Sequence, residues 1–185
     1  MATKKTAWAP FPASNKTFQY SSAGLQKAWK QLHSGDGEPF PDAKRAEQLI
    51  KSAGKAAPKG LSADDLADAL QSAWRAFHAG DFELAFTLGS ALGPVGTSVA
   101  AKALGIHTTY LVKTAEDKLV RFEQVAQLAE QAVIALPKEA NSHYRHAFGY
   151  GRYGQGISIA KALSTGLAGK IKTALDTCLK LDPKH

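Results

Sequence analysis

Three stretches of this 185-residue chain carry side chains whose types and spacing could do chemistry. Gly149-Tyr-Gly-Arg-Tyr-Gly154 satisfies the G-x-G-x-x-G pattern that lets a backbone approach a dinucleotide pyrophosphate. That chemistry needs a strand before the glycines and a βαβ unit around them, and no alternating apolar run supplies either. The better account is a helix-breaking loop between two helices. Gly166-Leu-Ala-Gly-Lys170 has the glycines and lysine of a phosphate loop. Its spacing is short, however, Ile171 stands where a Ser or Thr hydroxyl is needed, and the stretch reads as helix. His143-Tyr-Arg-His146 sets two imidazoles at i and i+3, on one helix face, as a metal site could use. No third ligand lies at helical spacing; Glu139, one turn back, is the nearest acid.

The same region supports another reading. His143, Tyr144, Arg145, His146, Tyr150, Arg152 and Tyr153 form the chain's densest group of polar aromatic and cationic residues. Such side chains combine apolar area with directed hydrogen bonds, a composition found at partner-binding surfaces. The competing reading has the tyrosines packing this helix on its neighbours and the arginines in water. No nucleophile–His–acid grouping can be assembled, and neither G-x-S-x-G nor H-E-x-x-H occurs. Asp64-Asp65 and Glu116-Asp117 are explained by helix caps and first turns. Cys178 is the single cysteine, so no disulfide or cysteine-based metal site can form, and its position faces a helix-pair interior. A non-catalytic protein without metal or cofactor is expected.

The elements that must position these residues are announced by a duplication. Ala28-Trp-Lys-Gln-Leu-His-Ser-Gly-Asp36 returns 45 positions later as Ala73-Trp-Arg-Ala-Phe-His-Ala-Gly-Asp81. Trp29 and Trp74 lie one turn from Leu32 and Phe77, so each pair shares a helix face. His33 and His78 fall in the last turn, where a ring nitrogen can meet the helix's negative end. Gly35 and Gly80 supply the left-handed residue that ends a helix. Asp81 then caps the next helix, with Phe82 and Ala85 inward. In the first copy Glu38-Pro-Phe-Pro41 lengthens the turn and Asp42 is the cap.

Gly80-Asp-Phe-x-x-Ala85 resembles the turn of tetratricopeptide repeats. Ala132 to Pro137 and Cys178 to Pro183 resemble the end of the second helix of such repeats. Pro137 and Pro183 are 46 apart, against roughly 34 in the family, so the units are stretched. Residues 129–185 are also similar to the helical domains of regulator-of-microtubule-dynamics proteins and of repeat proteins associated with TRAP transporters. The resemblance covers 60–185, although 97–125 fit no repeat consensus. It implies an all-α chain whose antiparallel helix pairs stack into a superhelix, or solenoid. It also implies a groove that takes a protein or peptide.

Read in order, 1–20 form an extended arm whose Trp8, Phe11, Phe18 and Tyr20 dock on the body, the alternative being an exposed partner-binding peptide. A first, divergent helix pair covers 23–33 and 42–53, followed by the basic linker Gly54–Gly60; the repeat body is 61–185. Ser62, with Asp65 three positions on, makes a capping box for a helix whose stripe is Leu66, Leu70, Ala73, Trp74 and Phe77. Its partner spans 81–92 and stops at Gly93-Pro94. A small-residue stretch, 94–113, precedes a helix over 115–136, a short helix starts at Pro137, and the last long helix covers 157–181. No polar cap follows it. Either a partner chain, such as a second copy, covers its face, or the sequence is a fragment of a longer protein.

Residues 1–60 hold ten Lys/Arg against four Asp/Glu, so most of the net +7 lies there. The alternative function is therefore an anionic ligand or nucleic acid bound by the N-terminal third. Its lysines are scattered, which argues against nucleic acid. No run approaches the ~20 apolar residues that cross a bilayer, and a cytoplasmic protein is expected.

Overall fold

Helix starts are written into the chain as short polar side chains that accept the unpaired first-turn N–H groups. In the computed structural model, which describes residues 7–13 and 16–185, Ser21 accepts from Gly24 N to open α1 (Ser22–Leu32). Asp42 accepts from Arg45 N at 2.8 Å to open α2 (Ala43–Ala53). Ser62 and Asp65 form the expected reciprocal box at α3 (Ala63–His78), and Asp81 caps α4 (Phe82–Ala91). Thr114 caps α6 (Ala115–Ala135) and Ser158 caps α8 (Ile159–Ser164). The remaining helices are α5 (Thr97–Tyr110), α7 (Ala140–Gly154) and α9 (Leu167–Leu181). Among the described residues the chain is all-α, with no strand.

Successive helices pack antiparallel: α2 on α3, α3 on α4, and so on through α7, which packs on α9. The α6–α7 pairing is the most extensive. Alternate helices also touch, α3 with α5 and α5 with α7. α1 joins that row through side chains, its Trp29 ring lying 5.5 Å from Trp74 at 90°. The predicted α3 stripe is divided between two cores: Leu66 and Leu70 join Ala46 and Leu49, closed by Leu136, while Ala73 and Trp74 join Leu25 and Trp29, with Phe77 partly buried beside them. The arm docks only in part: Trp8, Phe11 and Tyr20 find ring partners, whereas Phe18, at the end of a short 3-10 turn, is 43% exposed. Trp8 rests on Phe86 and His107, Phe11 meets Phe82 edge-on, and Ala9 N donates to His107 Nε2 at 2.9 Å. Cys178 is buried, 2% exposed, as its position implied.

Four expectations need correction. Gly149 to Gly154 is not a loop: the glycines lie inside or at the end of α7. A Cβ on Gly149 would sit 2.6 Å from Ala126 N, so glycine serves there to bring α7 against the backbone of α6. Helix α7 is consequently a full 15-residue helix beginning at Ala140, not a short one at Pro137. The last long helix is broken as well. Gly166 at φ +62° separates α8 from α9. In the first motif copy the left-handed residue is Gly37 (φ +53°), not Gly35, because the longer turn delays chain reversal; Gly80 (φ +84°) behaves as expected.

Gly149 and Gly151 give a paired prediction. Gly149→Ala should destabilise the fold by about 1–3 kcal/mol, because neither backbone can give way. Gly151 has open space where its Cβ would be, so Gly151→Ala should stabilise by about 0.5–1 kcal/mol through helix propensity. Urea unfolding of the two variants checks the opposite signs.

Candidate functional site

The two copies of the duplicated motif meet face to face. Its tryptophans pack edge-to-face, and its histidines turn toward each other instead of toward their helix carbonyls: His33 Nε2 lies 3.2 Å from His78 Nε2. The roles follow from the last acceptor. His33 Nδ1 is 3.0 Å from Asp36 Oδ1, and an ionised carboxylate only accepts, so His33 donates there and receives the His78 N–H on its other nitrogen.

Asp36 is the centre of this site. The long turn after α1 carries it inward, 5% exposed, where Oδ2 accepts from Lys102 Nζ of α5 at 2.6 Å and from Arg145 Nη2 of α7. The turn is anchored twice more. Trp29 Nε1 donates to the Glu38 carbonyl at 2.6 Å, and the Ser98 hydroxyl donates to the Glu38 carboxyl. Arg145 Nη2 lies 3.8 Å from that carboxyl. Alongside, Arg45 of α2 and Glu139 form a two-point ion pair. Lys102 sits 5.5 Å from the Trp74 ring centre and 5.3 Å from that of Phe77.

Protonation follows from burial. Desolvation alone would raise the Asp36 carboxyl, but the His33 hydrogen bond and the Arg145 and Lys102 charges outweigh it and hold the group far below the carboxylate range. Glu38 moves the other way: burial raises it, and Arg145 and Ser98 offset this only in part. Burial lowers His33 despite Asp36, and burial with the neighbouring His33 and Lys102 charges pushes His78 down to about 3. Burial and the Arg145 charge lower Lys102.

Beside the ion pairs lies a cleft of about 190 Å³, floored by Asp36, Lys102 and Arg145 and walled by Leu32, Ile106, Tyr144 and Phe148. The residues expected at 143–153 do not form one surface. Tyr144 and Arg145 line this cleft. His143 and His146 border a shallower depression of about 470 Å³ between α6, α7 and α9. Arg152 lines a third hollow and bonds Thr109, while Tyr153 is buried against Phe122 and Leu167. Tyr150 stacks edge-on with His146 and carries Lys170 over its ring. The packing account of the tyrosines therefore describes Tyr153; Arg145 is buried and Arg152 half-buried. His143 Nε2 is committed to the Pro137 carbonyl at 2.9 Å, and no group of three or more metal-type ligands occurs among the described residues.

Sequence reasoning missed Lys102, Glu38 and Ser98. A signal existed for Lys102: it is the one charge in the apolar run from Val99 to Leu104, and a cation so placed must find an acid when buried. Of the motif residues named in advance, His33 and His78 join the site with Trp29 and Trp74, while Asp81 and Ala85 stay with the helix start. Pro137 and Pro183 each follow a helix end, with Leu136 and Asp182 as the caps. Comparison with protein families, curated proteins and solved structures finds no match.

Asp36→Ala strands two buried cations and should cost about 3–5 kcal/mol, whereas the double variant with Arg145→Met should cost less than the two single changes summed. Urea unfolding of the four-member cycle reads this. The histidines give a pH prediction. Unfolded His78 takes a proton near 6.5, the folded residue only near 3, so between those values the unfolded state binds more protons. Stability must fall as pH drops through 6.5, by about 1–2 kcal/mol at pH 5. His78→Gln should flatten that limb in denaturation midpoints measured from pH 7 to pH 5.

Proposed function

We propose that the chain is a non-catalytic, tetratricopeptide-like scaffold, its helix pairs stacked as a superhelix, that receives a protein or peptide partner on the face formed by α1, α3, α5 and α7. One observation carries this reading. The side chains around the cleft come from that row alone: Leu32 at the end of α1 with its following turn, Lys102 and Ile106 from α5, Tyr144, Arg145 and Phe148 from α7. Trp74, Phe77 and His78 of α3 support them from beside. A row of alternate helices that gathers aromatic, aliphatic and cationic side chains has the makings of the extended face such arrays use for binding. The arrangement contains a buried carboxylate, imidazoles, a lysine and a serine hydroxyl, and each is engaged by another.

The reading through the basic N-terminal third loses ground. Two of its cations are already matched, Arg45 by Glu139 and Lys51 by Glu47.

Affinity capture with the purified chain at low and high salt tests the scaffold. A partner retained at high salt by the wild type should be lost at least tenfold with Ile106→Asp, a half-buried cleft position. Ile134→Asp, on α6 and 76% exposed, should leave capture unchanged. Equal capture by the two variants overturns the assignment, and nucleic acid released at high salt moves function to the N-terminal third.

A further inference from the structure

The side chains that line the cleft include two cations, Lys102 and Arg145, and one carboxylate, Asp36, which is bonded to both. Glu38 is the second acid within reach, but it is spent on the Ser98 hydroxyl and stands off from Arg145 at 3.8 Å. Burial also favours its neutral form. The neighbouring imidazoles cannot offset the excess, since an imidazole is either neutral or cationic.

Hydrogen bonding is incomplete in the same place. The Arg145 side chain is 6% exposed, yet its Nε has no partner, a donor left unsatisfied in a group that normally satisfies all of them. Lys102 has three N–H bonds and spends one on Asp36; His33 Nδ1, 3.5 Å away, already donates to Asp36 and cannot accept another. The Arg145 guanidinium is braced by the Tyr144 ring, 5.2 Å from its centre, which fixes its plane. A planar cation so held suits a planar anion.

Beyond the cations the walls are apolar: Leu32, Ile106 and Phe148. The volume, about 190 Å³, is below the roughly 300–1,000 Å³ of sites for drug-sized molecules, so only a small group can enter. A phosphate would fill the polar end and leave the apolar wall unused. A carboxylate on a branched or linear hydrocarbon stem uses both.

We propose that the cleft between α1, α5 and α7 binds a carboxylate carried on a short apolar stem, with Arg145 and Lys102 taking the oxygens and Leu32, Ile106 and Phe148 the stem. The chemistry is the same whether the group is a free aliphatic acid or the C-terminal residue of a partner polypeptide. The second source rests on the scaffold reading above; the first does not.

The full chain, labelled with ¹⁵N, is titrated with isovalerate, with 3-methylbutanol, with a hexapeptide ending in leucine as its free acid, and with the same peptide amidated. The Arg145 Nε–H resonance should move with isovalerate and saturate, and should stay within a tenth of that shift with the alcohol. The free-acid peptide should bind at least tenfold more tightly than the amide. Ile106→Trp, which fills the apolar end without touching the ion pairs, should abolish both responses while its backbone spectrum stays folded. Saturation by isovalerate with the two peptides indistinguishable assigns the site to a free acid and removes the polypeptide source. Equal responses to acid and alcohol, or undiminished binding by Ile106→Trp, overturn the proposal. A partner captured in the preceding experiment and not displaced by isovalerate would then keep the scaffold and discard the carboxylate.

Discussion

The Asp36 carboxylate is the tie on which the seating of α1 and its following turn against the rest of the molecule depends. It reaches Lys102 across 66 positions of sequence and Arg145 across 109. Helix α1 makes little backbone contact with any other element; its position comes from Trp29, His33 and the turn that follows. A buried ion pair is a poor source of net stability, since desolvating three charges costs several kcal/mol per ion before their attraction is counted. What it supplies is register. Only one placement of the turn lets Asp36 meet an imidazole, an ammonium and a guanidinium together. Hydrophobic contacts, which carry no direction, could not specify that placement so narrowly.

The duplicated motif shows how one short sequence serves two purposes. In the second copy Asp81 follows the turn glycine and caps α4. In the first, Asp36 holds the same place in the pattern, but Gly37 to Pro41 follow, α2 begins only at Ala43, and Asp42 takes the capping role. Freed from the helix start, Asp36 turns inward. The paired histidines record the common origin of the design in geometry: each ends its helix, and the ends abut.

Secondary structure was legible because its signals are local. Ser62 with Asp65, Asp42 and Asp81 are read within four residues, and the Leu66 to Phe77 stripe within three turns. Errors fell where glycine had two uses. Gly149 looks like a breaker in sequence and is a contact surface in space, which only the position of Ala126 decides; Gly166 lay inside an apparently continuous helix and breaks it. The site was half legible. Arg145 and Tyr144 stood out by composition, yet their neighbours at 146 to 153 share that composition and wrap to other sides of α7. Lys102 and Asp36 become meaningful only once α1, α5 and α7 are brought together, and no local pattern contains that distance.

The crossed tryptophans have a spectroscopic consequence. Trp29 and Trp74 lie 5.5 Å apart, and the His33 ring stacks 4.0 Å from Trp29. Indoles this close couple as excitons, so the pair should give a bisignate circular-dichroism band absent from an isolated indole. The coupling depends on the seating of α1, which rests in turn on the Asp36 turn. The molecule thus carries its own optical gauge of that turn, and any event that lifts it will show as a collapse of the couplet while the helical signal persists.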